Sequence, residues 1–218
     1  MWLPLGKNDQ DRHCVTEPTP IYSLGRLLCK DGPECKSAVQ KEALMETGQV
    51  SFPTEAFADV LSANREFAVD FKGSDLSGSA ARGLAIVTCM DSRISPLALA
   101  GMQSGDAKIL RNAGARVTED VLRTLVLATY LLGVDRILVM PHTDCRMAQS
   151  SEAEIHRTIS DKYGVDTRSL EFKTELDQGE ALITDLIRVR SYPLLRSGVV
   201  VAGAIYNVRT GVLEPLDF

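Results

Sequence analysis

The chain has 218 residues, enough for one full hydrophobic core with some chain left over. It is 44% hydrophobic and 24% charged, as a globular domain is, and its formal net charge of -5 offers no basic field to nucleic acid or an anionic membrane. No apolar run approaches the roughly 20 residues that span a bilayer. The opening MWLPLGKNDQDRH lacks the apolar core of a secretory signal, so the expected compartment is the cytoplasm.

Residues 1–50 show no sustained period and read as a poorly ordered extension, with Met45 as a candidate natural start. From Pro53 to Phe71 the apolar residues Phe57, Val60, Leu61 and Phe67 recur at helical spacing, and Thr54 is the expected N-cap. After a Gly/Ser-rich loop comes LAIVTC (Leu84 to Cys89), an unbroken apolar run typical of a strand buried on both faces. GDAKIL predicts a second strand ending at Arg111, followed by the glycine-bearing loop RNAGA. Thr118 should cap the helix TEDVLRTLVLATYLLG, with Gly133 as its stop. RILVM (Arg136 to Met140) predicts a third buried strand, closed by Pro141. Helical stretches follow over Ser151 to Tyr163 and Gly179 to Arg190, and VVVAGAIYNVRTGVLEPL reads as a terminal hairpin. This alternation implies an α/β fold: a mostly parallel central sheet flanked by helices, with a C-terminal antiparallel edge hairpin. The expected organisation is an extension over 1–50 and one domain over 51–218.

Five cysteines, an odd number without a secretion signal, argue against a disulfide framework and for thiols used singly or as metal ligands. Cys14, Cys29 and Cys35 lie in the extension and, with His13, fit no tight zinc spacing. Cys89 and Cys145 have more telling neighbours. Cys89-Met90-Asp91-Ser92-Arg93 follows the first buried strand, and His142-Thr143-Asp144-Cys145 follows the third. In a parallel sheet the C-terminal ends of strands gather at one edge, where ligand sites form. A lone buried cysteine is commonly inert, but Cys89, His142 and Cys145 converging at one edge suit Zn²⁺ with a fourth position open. A water on such an ion is acidified towards a pKa of roughly 7. Two thiolates cancel the charge of the ion, so activity should rise on the alkaline side of neutrality. Asp91 and Arg93, two apart on an extended segment, are close enough to pair. Asp91 could orient a zinc-bound hydroxide or take the fourth zinc position, with Arg93 deciding between the two states.

CMDSR, then RNAG, then HTDC, in this order and spacing, resembles the signature of the β-class carbonic anhydrases, close to their smaller bacterial branch. The resemblance covers roughly Thr54 to the C-terminus. It implies Cys89, His142 and Cys145 as ligands of one Zn²⁺ per chain, and Asp91 with Arg93 as the catalytic dyad. The same resemblance implies Asp91 as the fourth ligand in the closed form known for some members. The implied reaction is attack of zinc-bound hydroxide on CO₂ to give bicarbonate and a proton, by a homodimer or dimer of dimers. Carbonyl sulfide and carbon disulfide are open to the same nucleophile, so a sulfur-gas hydrolase stays an alternative, as does a silent zinc- or bicarbonate-binding homologue. The family pattern continues HxxC with glycine, where this chain has Arg146. If that position needs a left-handed backbone, arginine is strained there and Arg146→Gly should raise activity. His156 is expected as an exposed bystander on a surface helix.

Overall fold

A computed structural model describes residues 51–217, which divide at Phe67/Ala68 into two compact units. The readings on Cys14, Cys29, Cys35, His13 and Met45 lie outside the described residues. A 3-10 turn, Thr54–Phe57, leads into helix α1, Ala58–Val69, whose last two residues fall past that division. Thr54 does not cap it. Pro53 occupies the N-cap position, and the Thr54 hydroxyl donates back to the Phe52 carbonyl at 3.3 Å. A 3-10 start leaves Thr54 inside the turn, where its side chain cannot reach forward to a free N–H.

The second unit is built on a five-stranded sheet: β1 (Leu84–Cys89), β2 (Ala107–Asn112), β3 (Arg136–Met140), β4 (Val200–Tyr206) and β5 (Leu213–Pro215). The strand order is β2-β1-β3-β4-β5. All pairings are parallel except β4 with β5, the expected edge hairpin. Strand β1 lies between two partners, and all six of its residues are buried, which accounts for its unbroken apolar run. Thr88, the one polar member of β1, is satisfied by donating its hydroxyl to the Met140 carbonyl at 2.8 Å.

Helices α2 (Pro96–Leu99), α3 (Glu119–Leu131), α4 (Glu152–Tyr163) and α5 (Gln178–Arg190) complete the unit. Ala85 and Val87 of β1 pack with Leu122, Leu125, Leu182 and Leu186 of α3 and α5. Leu84 and Ile86 point the other way, into a smaller core with Ile94, Met140, Leu99 and Met147. The expected caps on α3 hold: the Thr118 hydroxyl accepts from the Val121 N–H, and Gly133 follows with a φ of 73°. Helix α4 opens on a full capping box, Ser151 with Glu154, and closes on left-handed Gly164. Among the described residues no helix is long and apolar enough to cross a membrane.

Candidate metal centre

In the β1–β3 register Thr88 stands opposite Met140, so Cys89 and His142 leave the sheet on adjacent strands at the same edge. The backbone around His142 is held from the far side by β4. Tyr206 donates its N–H to the Pro141 carbonyl and accepts from the Thr143 N–H, both at 2.9 Å. Gln178, the first residue of α5, donates its side-chain amide to the His142 carbonyl at 2.6 Å. The chain then turns through Asp144, whose φ is +58°, and Cys145 precedes a 3-10 turn, Arg146–Ala148. That turn brings Cys145 back beside Cys89.

The sulfur atoms of Cys89 and Cys145 are 4.0 Å apart, and with the His142 ring nitrogen they form a group whose ligand atoms all lie within 4.8 Å. All three residues are buried. His142 Nδ1 stands 2.8 Å from the Thr143 carbonyl, which can only accept, so the proton resides on Nδ1. Nε2 is left with its lone pair facing the sulfurs, buried and without a hydrogen-bond partner. An orphaned buried acceptor beside two thiols suits a cation. The sulfur spacing suits it as well, since metal–sulfur bonds of about 2.3 Å across a tetrahedral angle separate two sulfurs by roughly 3.8 Å. Cys89, His142 and Cys145 could therefore hold a metal ion.

Electrostatics favours one ionised sulfur, that of Cys89. The neighbouring Cys145 thiol, helped by His142 and by the N–H groups of Gly114 and Asp91, lowers the Cys89 pKa to about 3. The same pairing pushes the Cys145 thiol up, because one proton is shared between two sulfurs. Burial pushes the His142 imidazole down, yet the Cys89 thiolate and the Thr143 carbonyl outweigh it and raise its pKa.

Asp91 and Arg93 do pair, though on a turn rather than an extended segment: Ile94 donates its N–H to the Asp91 carbonyl at 3.1 Å. Asp91 Oδ1 accepts from the Arg93 backbone N–H at 2.9 Å and Nε at 3.0 Å, and Oδ2 from Nη2 at 2.7 Å. This fork holds the Asp91 carboxyl well below the usual carboxylate range. Its Oδ2 lies 3.8 Å from His142 Nε2, at the rim of the cluster.

Several supporting residues escape a reading of the sequence alone. Arg111 donates to the carbonyls of Cys89 at 2.9 Å and Asp91 at 2.6 Å, tying the loop after β1 to β2. Asn112 braces its own loop, exchanging hydrogen bonds with the backbone of Arg116. Gly114 has a φ of +78°, and a Cβ there would meet Met147 Cβ at 3.2 Å, so only glycine brings this N–H to the Cys89 sulfur. Arg116 lies beyond the loop and ion-pairs with buried Asp185 of α5 at 2.8 Å. Arg111, Asn112 and Gly114 were signalled by the RNAG string, and Arg116 by nothing in the sequence.

Two expectations are corrected. Arg146 is not left-handed: it starts a right-handed 3-10 turn, and Asp144 takes the positive φ. Its side chain is exposed and joins no ion pair among the described residues, so it does not contest Asp91. His156 is no exposed bystander. Its side chain is 15% exposed, with Nδ1 2.9 Å from the Thr167 hydroxyl and the ring against Phe172, because the loop after α4 folds back over it.

The carbonic anhydrase family model matches residues 84–213, the span that contains every residue of this centre. Beta-carbonic anhydrase 1 of Mycobacterium tuberculosis is 35% identical over 157 residues, covering 72% of this chain and 94% of that protein. A carbon disulfide hydrolase of Acidithiobacillus thiooxidans is 29% identical over 157 residues, covering 63% and 78%. The crystal structure of a carbonic anhydrase from Streptococcus mutans superposes with a TM-score of 0.70 at 33% identity, over 77% of this chain and all of that one. Sequence, sheet and cluster agree, and the chain belongs to the β-carbonic anhydrase family of enzymes.

Proposed function

We propose that this chain binds one Zn²⁺ through Cys89, His142 and Cys145 and catalyses the reversible hydration of CO₂ to bicarbonate and a proton. The observation that carries this reading is the buried Cys-His-Cys group with an unpartnered His142 Nε2 at the shared edge of two parallel strands. When bound, the ion supplies Lewis acidity that brings the pKa of a water down to roughly 7. The protein supplies the rest. Thr143 fixes the imidazole and its tautomer, Gln178 holds the His142 backbone, and Gly114 stabilises Cys89 as thiolate. Asp91, kept ionised by Arg93, is an acceptor only, so a hydrogen bond donated to it by the attacking water aims that water's lone pair at the substrate carbon.

In this reading residues 51–218 form the zinc domain and residues 1–50 its extension. The enzyme works in the cytoplasm as a homodimer or dimer of dimers. Exposed apolar side chains such as Leu127, Tyr130 and Leu131 on α3 support an assembled form. A second reading, hydrolysis of carbon disulfide, is favoured by the relatives of that name. Stopped-flow measurement of CO₂ hydration by zinc-loaded protein, at about pH 7 and about pH 8.5, tests the first, with carbon disulfide turnover run in parallel. Zinc-dependent CO₂ hydration that increases at the higher pH is the expected result. Turnover of carbon disulfide alone would move the assignment to the second reading.

A further inference from the structure

The Asp91–Arg93 fork has a twin. At Asp166-Thr167-Arg168, Oδ1 accepts from the Arg168 backbone N–H at 3.0 Å and Nε at 3.0 Å, and Oδ2 from Nη2 at 2.7 Å. Distances and atom pairing match those of Asp91 and Arg93 to within 0.1 Å. The twin lies on an exposed loop, and its arginine has no other carboxylate among the described residues. An Asp-x-Arg turn therefore closes this fork from local geometry alone.

What sets the site apart is a second anion on the same guanidinium. Arg93 Nη1 donates to Asp144 Oδ2 at 2.8 Å, and Nη2 donates to the Asp144 carbonyl at 3.1 Å. Asp144 is fixed for this role: its backbone is left-handed and its Oδ1 accepts from Gln149 Nε2 at 2.7 Å. Arg209 adds positive charge nearby. The twin rules out the simplest purpose, since the fork needs no third partner to form.

We infer that Asp144 is a positioning residue that acts through Arg93, as a standing second partner that eases release of Asp91 from the fork towards the Cys89–His142–Cys145 cluster. The reasoning is a comparison of two states. While Asp91 is on Arg93, it shares one cation with a second carboxylate, which weakens its hold. Once Asp91 leaves, the guanidinium still has Asp144 and is not stranded. Both effects lower the cost of release, whereas Arg168 would be left without a carboxylate partner. Arg93 and Asp144 side chains are 45% and 39% exposed, so the effect has the size of a solvent-screened ion pair.

The inference rests on the metal reading above, and a Co²⁺-loaded protein separates the two. Asp144→Asn is isosteric and tolerates the left-handed backbone, so the fold should survive, as thermal melting would verify. Azide, a small anion competing with Asp91 for the metal, is titrated against the visible spectrum of Co²⁺. With release made harder, D144N should bind azide roughly two- to fivefold more tightly. In an Asp91→Asn background the same substitution should give a distinctly smaller gain. Equal gains in the two backgrounds would show Asp144 acting only through its field and overturn the inference. Weaker azide binding in D144N would overturn it too, making Asp144 an anchor that holds the fork shut. A wild-type protein with no thiolate-to-Co²⁺ charge-transfer band would sink the metal reading itself, a failure visible before any azide is added.

Discussion

Arg146 and Asp144 flank Cys145 and exchange the roles that composition suggests for them. A charged residue in place of a family glycine invites a strained backbone, yet the strain sits two positions earlier, on an aspartate that tolerates it. Arg146→Gly should accordingly give no stability gain, and a loss of about 0.5–1 kcal/mol from added chain entropy, read from urea unfolding. The ligand residues should behave quite differently. Cys145→Ser should abolish stoichiometric zinc after dialysis, measured by mass spectrometry of the metal, and the melt should fall to near that of the metal-free wild-type protein, because an ion held by the folded state stabilises it. Cys89, Asp91, Arg93, His142 and Cys145 were legible because each group follows a recognisable strand. Asp144, Arg111 and Gln178 were not, because their bonds join segments far apart in the chain and depend on how the loops after β1, β2 and β3 are stacked.

Among the elements, α5 connects the centre to the far side of the sheet. Its first residue bonds the His142 carbonyl, and its Leu182 and Leu186 lie against Gly203 of β4. A Cβ on Gly203 would come within 2.6 Å of Leu186 and 3.1 Å of Leu182. Gly203→Ala should therefore lift the helix, costing about 1–3 kcal/mol in denaturant unfolding and shifting the His142 imidazole resonances by NMR. Helix α4 offers a pH test. Glu152 accepts from the backbone N–H groups of Phe172 and Thr174, which lower its pKa below the ordinary range. A carboxyl depressed in the folded state stabilises above its unfolded pKa of about 4.3 and loses that contribution as pH falls through the folded value. Amide exchange at Phe172 and Thr174 should accelerate there, and Glu152→Gln should remove the pH dependence. Strand and helix positions were readable from period and caps. The 3-10 start at Thr54 and the burial of His156 were not, since both depend on geometry beyond the local pattern.

On the scale of the whole molecule, the sheet decides how far apart the donors stand. Neighbouring parallel strands run roughly 4.8 Å apart, which sets Cys89 beside His142, and the left-handed turn at Asp144 returns Cys145 so that all three donor atoms lie within 4.8 Å of one another. The two strand ends and the turn through Asp144 thus set the bite of the site together, and the cysteines and histidine fill it. A portable design rule results. Cysteine at the tip of one parallel strand, with His-x-x-Cys at the tip of its neighbour, should seat the same ion in an unrelated scaffold, provided a bulge-free register and a backbone donor for the first sulfur come with the graft.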